Sequence, residues 1–283
     1  MIKTCLLGLG RTGSVIAEQL ISSPEFNLVS VIAKPQSIKA NRKLNDFIKT
    51  NTDLVIKDAN SLSEEIQSKN FKVAIDFTSP EASLRNAHIL AEKGVHLLLG
   101  TTGFNKLQIY ELERLVYKHR IGLVYAPNIS VGINLLLSMV KTLARLIPNY
   151  DVEIVESHHR NKKDSPSGTA IKIAAEIDAI KGREHNKFTY GRKGASLREP
   201  SEIGIHAIRA GGIVGVHRVL FAGDADEIEI THRSYSRLVF AEGALKAAKF
   251  IHNRKGFFNM EDVLFADDRM EDYQAENLQL NYN

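Results

Sequence analysis

The sequence predicts an α/β protein: a doubly wound parallel sheet carrying an inserted α+β domain with a mixed sheet. Three observations predict it. Across residues 3–125, short apolar runs alternate with helix-period stretches, the pattern of strands joined by crossover helices. After Asn134 that alternation stops, and three strand-like runs follow one another with no helix between them. An alanine-rich helical run starting at Ser236-Arg237 then follows, and 283 residues leave room for two domains.

Residues 3–7 form the first strand. Gly8-Leu9-Gly10-Arg11-Thr12-Gly13 comes next and opens a helical run in which Val15, Ile16 and Leu20 share a face. A G-x-G-x-x-G placed between strand and helix is a Rossmann-type dinucleotide-binding turn, because the glycines allow a tight bend and bring backbone N–H groups close to a pyrophosphate. The second strand, residues 28–33, ends in Ile32-Ala33-Lys34-Pro35, with no acidic residue to grip a ribose 2′-hydroxyl. Lys34 instead suits a 2′-phosphate, so the reading is NADPH and/or NADH with a leaning to NADPH. An exposed lysine at a strand end is the competing explanation.

Residues 36–70 are polar and poorly patterned, with one short strand candidate at 54–56. Clearer units follow. The strand at 73–77 ends in Asp76-Phe77-Thr78, and a helix opens at Ser79-Pro80 and closes at Gly94. The strand at 95–99 ends in Gly100-Thr101-Thr102-Gly103. A helix then runs to about Lys118, and the strand at 121–125 ends in Ala126-Pro127-Asn128-Ile129. Ligands of such sheets bind beyond the carboxyl ends of the strands, so these ends join the glycine turn as cofactor-binding candidates. Ordinary turns between strand and helix favour the same residue types.

In the second half, an apolar helix at 135–147 and a strand at 152–157 lead into Glu156-Ser-His-His-Arg-Asn-Lys-Lys-Asp-Ser-Pro-Ser-Gly-Thr-Ala170, followed by a helical run ending at Gly182. A Ser or Thr can cap that helix. Its free N–H groups, Gly168, and the cations Arg160, Lys162 and Lys163 suit a carboxylate or phosphate. His158 and His159 add a group that can donate a proton near neutral pH. A solvated loop is the plainer reading of such a polar run. Metal binding is disfavoured, although His158, His159 and Asp164 are ligand types: adjacent histidines point to opposite sides of a strand, and the single cysteine, Cys5, lies far off in an apolar run. Residues 183–200 are loose. The runs at 203–209, 216–222 and 227–232 read as a meander, with Gly211-Gly212-Ile213-Val214-Gly215 as a turn between strands.

Lys and Arg total 37 against 33 acids, a formal net charge of +4, and residues 261–283 hold seven acids against one arginine. The rest of the chain is therefore more basic than the total. A small anionic substrate and a phosphate-bearing cofactor explain that surplus as well as nucleic acid would, and no basic stripe with interleaved aromatics supports a nucleic-acid partner. No apolar run approaches the roughly 20 residues of a membrane span and no signal peptide is evident, so neither membrane nor secretion is expected. One cysteine fits the reducing cytoplasm. Residues 266–283 read as a flexible acidic tail.

The run from His158 to Ala170 resembles the signature of the dihydrodipicolinate reductase family. The resemblance extends from Ile2 to about Leu264 and takes in D-F-T at 76–78, G-T-T-G at 100–103, P-N-x-S at 127–130, R-A-G-x-I-V-G-x-H at 209–217 and I-T-H-R-x-Y-S-R at 230–237. It implies a cofactor domain of residues 1–129 and 237–283, with a substrate-binding and oligomerisation domain of residues 130–236 in a cytoplasmic homotetramer. It also implies NAD(P)H-dependent reduction of the dicarboxylate 4-hydroxy-tetrahydrodipicolinate in diaminopimelate and lysine biosynthesis. Under it His158 donates the proton and Lys162 supplies positive charge. His159, Gly168 and Thr169 hold the carboxylates, and the glycine turn (Gly8 to Gly13), Lys34, Gly100 to Thr102 and Ala126 to Ile129 hold the cofactor. Three positions depart from the family: the glycine turn is one residue short, Thr12 stands where methionine is usual, and Ala33 stands where members that use NADH well carry an acid.

Overall fold

The computed structural model of the chain describes residues 1–182, 188–199 and 202–266. The expected acidic tail lies outside them, except for Ala266. The described chain forms two compact units, residues 1–131 together with 240 onward, and residues 132–239.

The first unit begins with β1 (Ile2–Leu7), α1 (Arg11–Ser22), β2 (Phe26–Ala33), β3 (Lys57–Asp58), α2 (Leu62–Lys69), β4 (Val73–Asp76), α3 (Pro80–Glu92), β5 (His96–Leu99), α4 (Lys106–His119) and β6 (Gly122–Tyr125). The second unit takes α5 (Val131–Leu146) from its second residue on, then β7 (Asp151–His158), α6 (Gly168–Lys181), β8 (Phe188–Tyr190), β9 (Ile203–Arg209), β10 (Gly215–Ala222) and β11 (Glu227–Ser234). The chain completes the first unit with α7 (Leu238–Ile251), β12 (Gly256–Phe258) and α8 (Met260–Leu264).

Seven parallel strands lie in the order β12-β6-β5-β4-β1-β2-β3. Successive side chains alternate between faces, and both faces are covered. Leu6 and Val31 meet Ile16 and Leu20 of α1 and the alanines 241, 244, 247 and 248 of α7. Cys5, Leu7 and Leu97 meet Leu62 of α2, Leu90 of α3 and Leu112 of α4. Burying a leucine such as Leu20 fully is worth about 1.5–3 kcal/mol. The alanines and Gly243 let α7 approach closely: a Cβ on Gly243 would collide with the Ile129 carbonyl oxygen. Strand order reverses at β1, with β2 on one side and β4 on the other, and this switch point opens a crevice at the carboxyl ends.

The residues 36–70 correct the sequence reading. Residues 54–56 form no ladder strand: Val55 makes a single bridge to Lys43, and Ile56 exchanges backbone bonds with Asn41 and Arg42. The strand is Lys57–Asp58, parallel to the end of β2. The stretch also contains α2, whose acids Glu64 and Glu65 sit in the first turn and Lys69 in the last, as the helix dipole favours. At eight residues with three buried, it carries too little periodicity to be seen in the sequence. The short β8, β12 and α8 escape notice for the same reason.

The second unit has a mixed sheet in the order β11-β10-β7-β9-β8. The strands after α6 are not a meander. β10 and β11 form an antiparallel hairpin, but β9 and β10 lie on opposite sides of β7, β9 parallel to it and β10 antiparallel. The glycine-rich residues 210–214 cross the end of β7, where Ala210 N–H donates to the His158 carbonyl and Arg160 N–H to that of Gly211. One sheet face packs Ile154, Ile205, Val219 and Phe221 against α5 and α6.

Candidate active site

At the sheet of the first unit, the ladder continues one residue past each strand. Gly8 N–H donates to Ile32 O, Phe77 N–H to Leu7 O, Gly100 N–H to Asp76 O and Ala126 N–H to Leu99 O, each at 2.8–2.9 Å. These bonds gather the glycine turn, D-F-T, G-T-T-G and the 126–129 segment at one end of the sheet. Gly8 has φ +94°, and a Cβ on Gly13 would collide with the Gly8 carbonyl oxygen. Gly10, the N-cap of α1, has nothing within 4 Å of a would-be Cβ. One glycine bends the chain, one packs helix on strand, and the middle one leaves room at the helix N-terminus for a phosphate.

Leu9, Ala126 and Ile129 point their side chains into the core, so any ligand contact they make is through backbone. Arg11, Thr102 and Pro127 are exposed, Thr12 and Asn128 half-buried, and Thr101 buried. Lys34 is exposed at the end of β2. Also at the glycine turn, and missed in the sequence, is the side chain of Lys39, whose Nζ donates to the Leu9 carbonyl at 2.6 Å. In the sequence Asp76 stands out only as part of D-F-T. It is fully buried, and its Oδ1 accepts from Thr78 N, Thr78 Oγ1 and Ser83 Oγ at 3.0, 2.6 and 2.7 Å while Oδ2 accepts from Asn86 Nδ2 at 2.8 Å.

In the second unit the site is built on the end of β7. Register places Arg209 of β9 beside His158, and His217 of β10 beside Glu156. Glu156 is fully buried and all of its acceptor positions are taken. Oε2 receives His158 Nδ1 at 2.6 Å and Arg209 Nη1 at 2.8 Å; Oε1 receives Arg209 Nη2 at 2.7 Å and Ser167 N at 2.9 Å. Burial alone would raise the Glu156 pKa, but Arg209, His158 and the Ser167 N–H outweigh it and hold the carboxyl below its ordinary value. Burial lowers His158 below the usual imidazole value; Glu156 works against that shift, and Lys162 and Arg209 work with it.

Ser167 caps α6, its Oγ accepting from Ala170 N at 3.2 Å and lying 3.0 Å from His217 Nε2. Burial pushes His217 down to about 3, so its ring is neutral, and it stands edge-on to His158 at 5.3 Å between centroids. Gly168 opens the helix with nothing within 4 Å of a would-be Cβ, and Thr169 follows. Lys162 Nζ donates to both Asp164 oxygens at 2.9 Å. His159 is half-buried, while Arg160 and Lys163 are exposed. His158 is thus tied through Glu156 to the helix N-terminus that Gly168 and Thr169 open, and Lys162 lies close enough to His158 to act on its charge. Glu156, Arg209, Ser167 and His217, to which sequence reasoning assigns no catalytic role, complete the site. Among the described residues no three His, Cys, Asp or Glu side chains are grouped to hold a metal ion.

A parallel sheet with a glycine turn at its switch point, in a chain whose second unit sets a histidine near a helix N-terminus, defines a two-domain nucleotide-binding oxidoreductase fold. The sequence matches the dihydrodipicolinate reductase N-terminal family over residues 2–129 and its C-terminal family over residues 132–264. It is 39% identical over 268 residues to a 4-hydroxy-tetrahydrodipicolinate reductase of Methanosarcina barkeri, covering 93% of this chain and 99% of that one. The enzyme of the same name from Methanocaldococcus jannaschii is 38% identical, with 93% and 97% covered. A dipicolinate-bound dihydrodipicolinate reductase from Paenisporosarcina sp. TG-14 shares the fold, with TM-score 0.76, 24% identity, and 92% and 97% of the two chains covered. The chain belongs to the dihydrodipicolinate reductase family.

Proposed function

We propose that this chain reduces 4-hydroxy-tetrahydrodipicolinate to tetrahydrodipicolinate with NADPH, and more weakly NADH, in the diaminopimelate and lysine route. Family membership over nearly the whole chain carries this reading, and the two sites support it. The glycine turn fits a dinucleotide, since Gly8 and Gly13 make the bend and Gly10 leaves space for the pyrophosphate. When bound, the nicotinamide supplies the hydride, which no side chain can.

The chain supplies the rest. The N–H groups at the start of α6, with Gly168 and Thr169, receive one substrate carboxylate, and His159 assists with the other. Lys162 places positive charge beside the ring as negative charge develops there. His158 Nε2 delivers the proton that accompanies the hydride. The test is NADPH oxidation with freshly generated 4-hydroxy-tetrahydrodipicolinate; no turnover with that substrate would remove the assignment.

Lys34 and Lys39 support the leaning to NADPH. Both lie near the end of β2, and neither Ala33 nor Lys34 offers a carboxylate to a ribose hydroxyl. A positioned ammonium against a phosphate is worth more than an ordinary exposed pair of under about 1 kcal/mol. Lys34→Ala is expected to raise KM for NADPH several-fold and leave KM for NADH nearly unchanged, while Ala33→Asp does the opposite. The measurement is kcat/KM for both cofactors in the three proteins. An equal loss with both cofactors for Lys34→Ala would show that Lys34 does not read the 2′-phosphate.

Assembly as a homotetramer belongs to the same reading. It is supported by the face of the five-stranded sheet turned away from α5 and α6, where Val155, Ile208 and Leu220 lie beside Arg218. A cytoplasmic location is supported by the single, unpaired Cys5. No described helix is long and apolar enough to cross a membrane.

A further inference from the structure

We propose that Glu156 and Arg209 form a positioning pair that fixes the proton of His158 on Nδ1 and leaves Nε2 as the nitrogen that meets the reacting ring. The inference rests on the reading of His158 as the proton donor and assigns two residues that the reading does not use.

The geometry carries it. An ionised carboxylate can only accept, so the 2.6 Å contact between Glu156 Oε2 and His158 Nδ1 makes Nδ1 the donor. In the neutral ring Nε2 is then the lone-pair nitrogen, and in the charged ring Nε2–H is the proton to be given. Nε2 has no hydrogen-bond partner among the described residues. A Cβ on Gly215 would stand 3.3 Å from it, so a glycine keeps that side clear.

Arg209 makes this arrangement possible in a buried place. A lone carboxylate with no exposed surface would take up a proton or bind the imidazolium so tightly that the proton could not leave. The guanidinium grips both Glu156 oxygens, and its Nη2 also donates to the Asp164 carbonyl at 2.6 Å, tying the pair to the 159–166 segment. Ser167 N–H on Oε1 ties the pair to the start of α6. One carboxylate thus sets the ring of the acid and the helix end that receives the substrate. The groups facing His158 are Glu156 on its own strand, Arg209 from β9, neutral His217 from β10, with His232 of β11 beyond it, and Lys162 from the following loop.

The experiment uses full-length protein with ¹⁵N-labelled histidine, the His158 resonances assigned by their loss in His158→Gln. In the wild type, the neutral ring of His158 is expected to carry its proton on Nδ1. Glu156→Gln removes the negative charge, so the His158 titration and the alkaline limb of kcat should both move to lower pH. Arg209→Lys cannot grip both oxygens, so both should move to higher pH. Either single change leaves a buried charge less well matched and can impair folding. Glu156→Gln with Arg209→Met removes both charges and is the control, expected to fold, to show a mixture of the two tautomers and to lose at least 10-fold in kcat with little change in KM for NADPH. A proton on Nε2 in the wild-type neutral ring would overturn the proposal. So would a double variant with wild-type tautomer and kcat, since a purely structural pair would move neither. The spectra need no turnover, so they test the pair even if the substrate assignment fails.

Discussion

His158→Gln is expected to lower kcat by roughly 10²–10⁴-fold, the usual worth of a positioned acid. The dissociation constant for NADPH, measured by fluorescence titration, should stay nearly unchanged, because the cofactor residues sit at a different sheet. Glutamine keeps a side-chain N–H that can still meet Glu156, so the buried carboxylate retains its partners, but it has no proton to release near neutral pH. No neighbour can replace the missing acid. Burial pushes His217 down to about 3, and its Nε2 already faces Ser167. Lys162 is held by both oxygens of Asp164. The wild-type rate should also fall as pH rises through the His158 pKa, which burial places below the ordinary imidazole value. Turnover unchanged in His158→Gln would remove His158 from the mechanism.

Much of this architecture was legible in the sequence because its signals are local. The turn from Gly8 to Gly13 lies between a run of four buried residues, 4–7, and a helix with one apolar face, so strand, bend and helix could each be read from period and glycine spacing. Ser167 and Gly168 stand at a helix start in both sequence and structure. What could not be read depends on register between distant strands. A meander would have made β9 and β10 neighbours and left Arg209 apart from Glu156. Only with β7 between them do Arg209 and His217 flank the carboxylate, 53 residues away in the case of Arg209. The resemblance supplied the motif R-A-G-x-I-V-G-x-H but no reason for its arginine. Lys39 lies in a stretch with no periodicity, and its reach to the Leu9 carbonyl, 30 residues away, is a tertiary contact that no local pattern marks.

Asp76→Ala is expected to destabilise the protein by about 3–5 kcal/mol, because buried neutral donors that lose their acceptor cost about 1–3 kcal/mol each. By the size scaling for large domains, the melting temperature should fall by roughly 10 °C. The carboxylate is the common acceptor for Thr78, Ser83 and Asn86, with the Thr101 hydroxyl at 3.3 Å, so its loss strands the buried donors Ser83 and Asn86 and frees the exposed Thr78 to water. Two of those donors belong to the D-F-T and G-T-T-G turns, so cofactor affinity should weaken as well. Asp76→Asn separates charge from hydrogen bonding. Its amide oxygen can still accept from Thr78 and Ser83, and Asn86 can turn its amide to match, so most of the network survives. Burial raises the Asp76 pKa, with Asn86, Thr78 and Ser83 pulling it back part of the way. A carboxyl whose folded pKa lies above the unfolded value takes up a proton on folding in the window between the two. Wild-type stability should therefore decline as pH climbs through that window and level off above it, a decline that Asp76→Asn lacks. Denaturant midpoints for the three proteins across pH 4–8 check both parts. If Asp76→Ala melts within about a degree of wild type, the cluster does not hold these turns together.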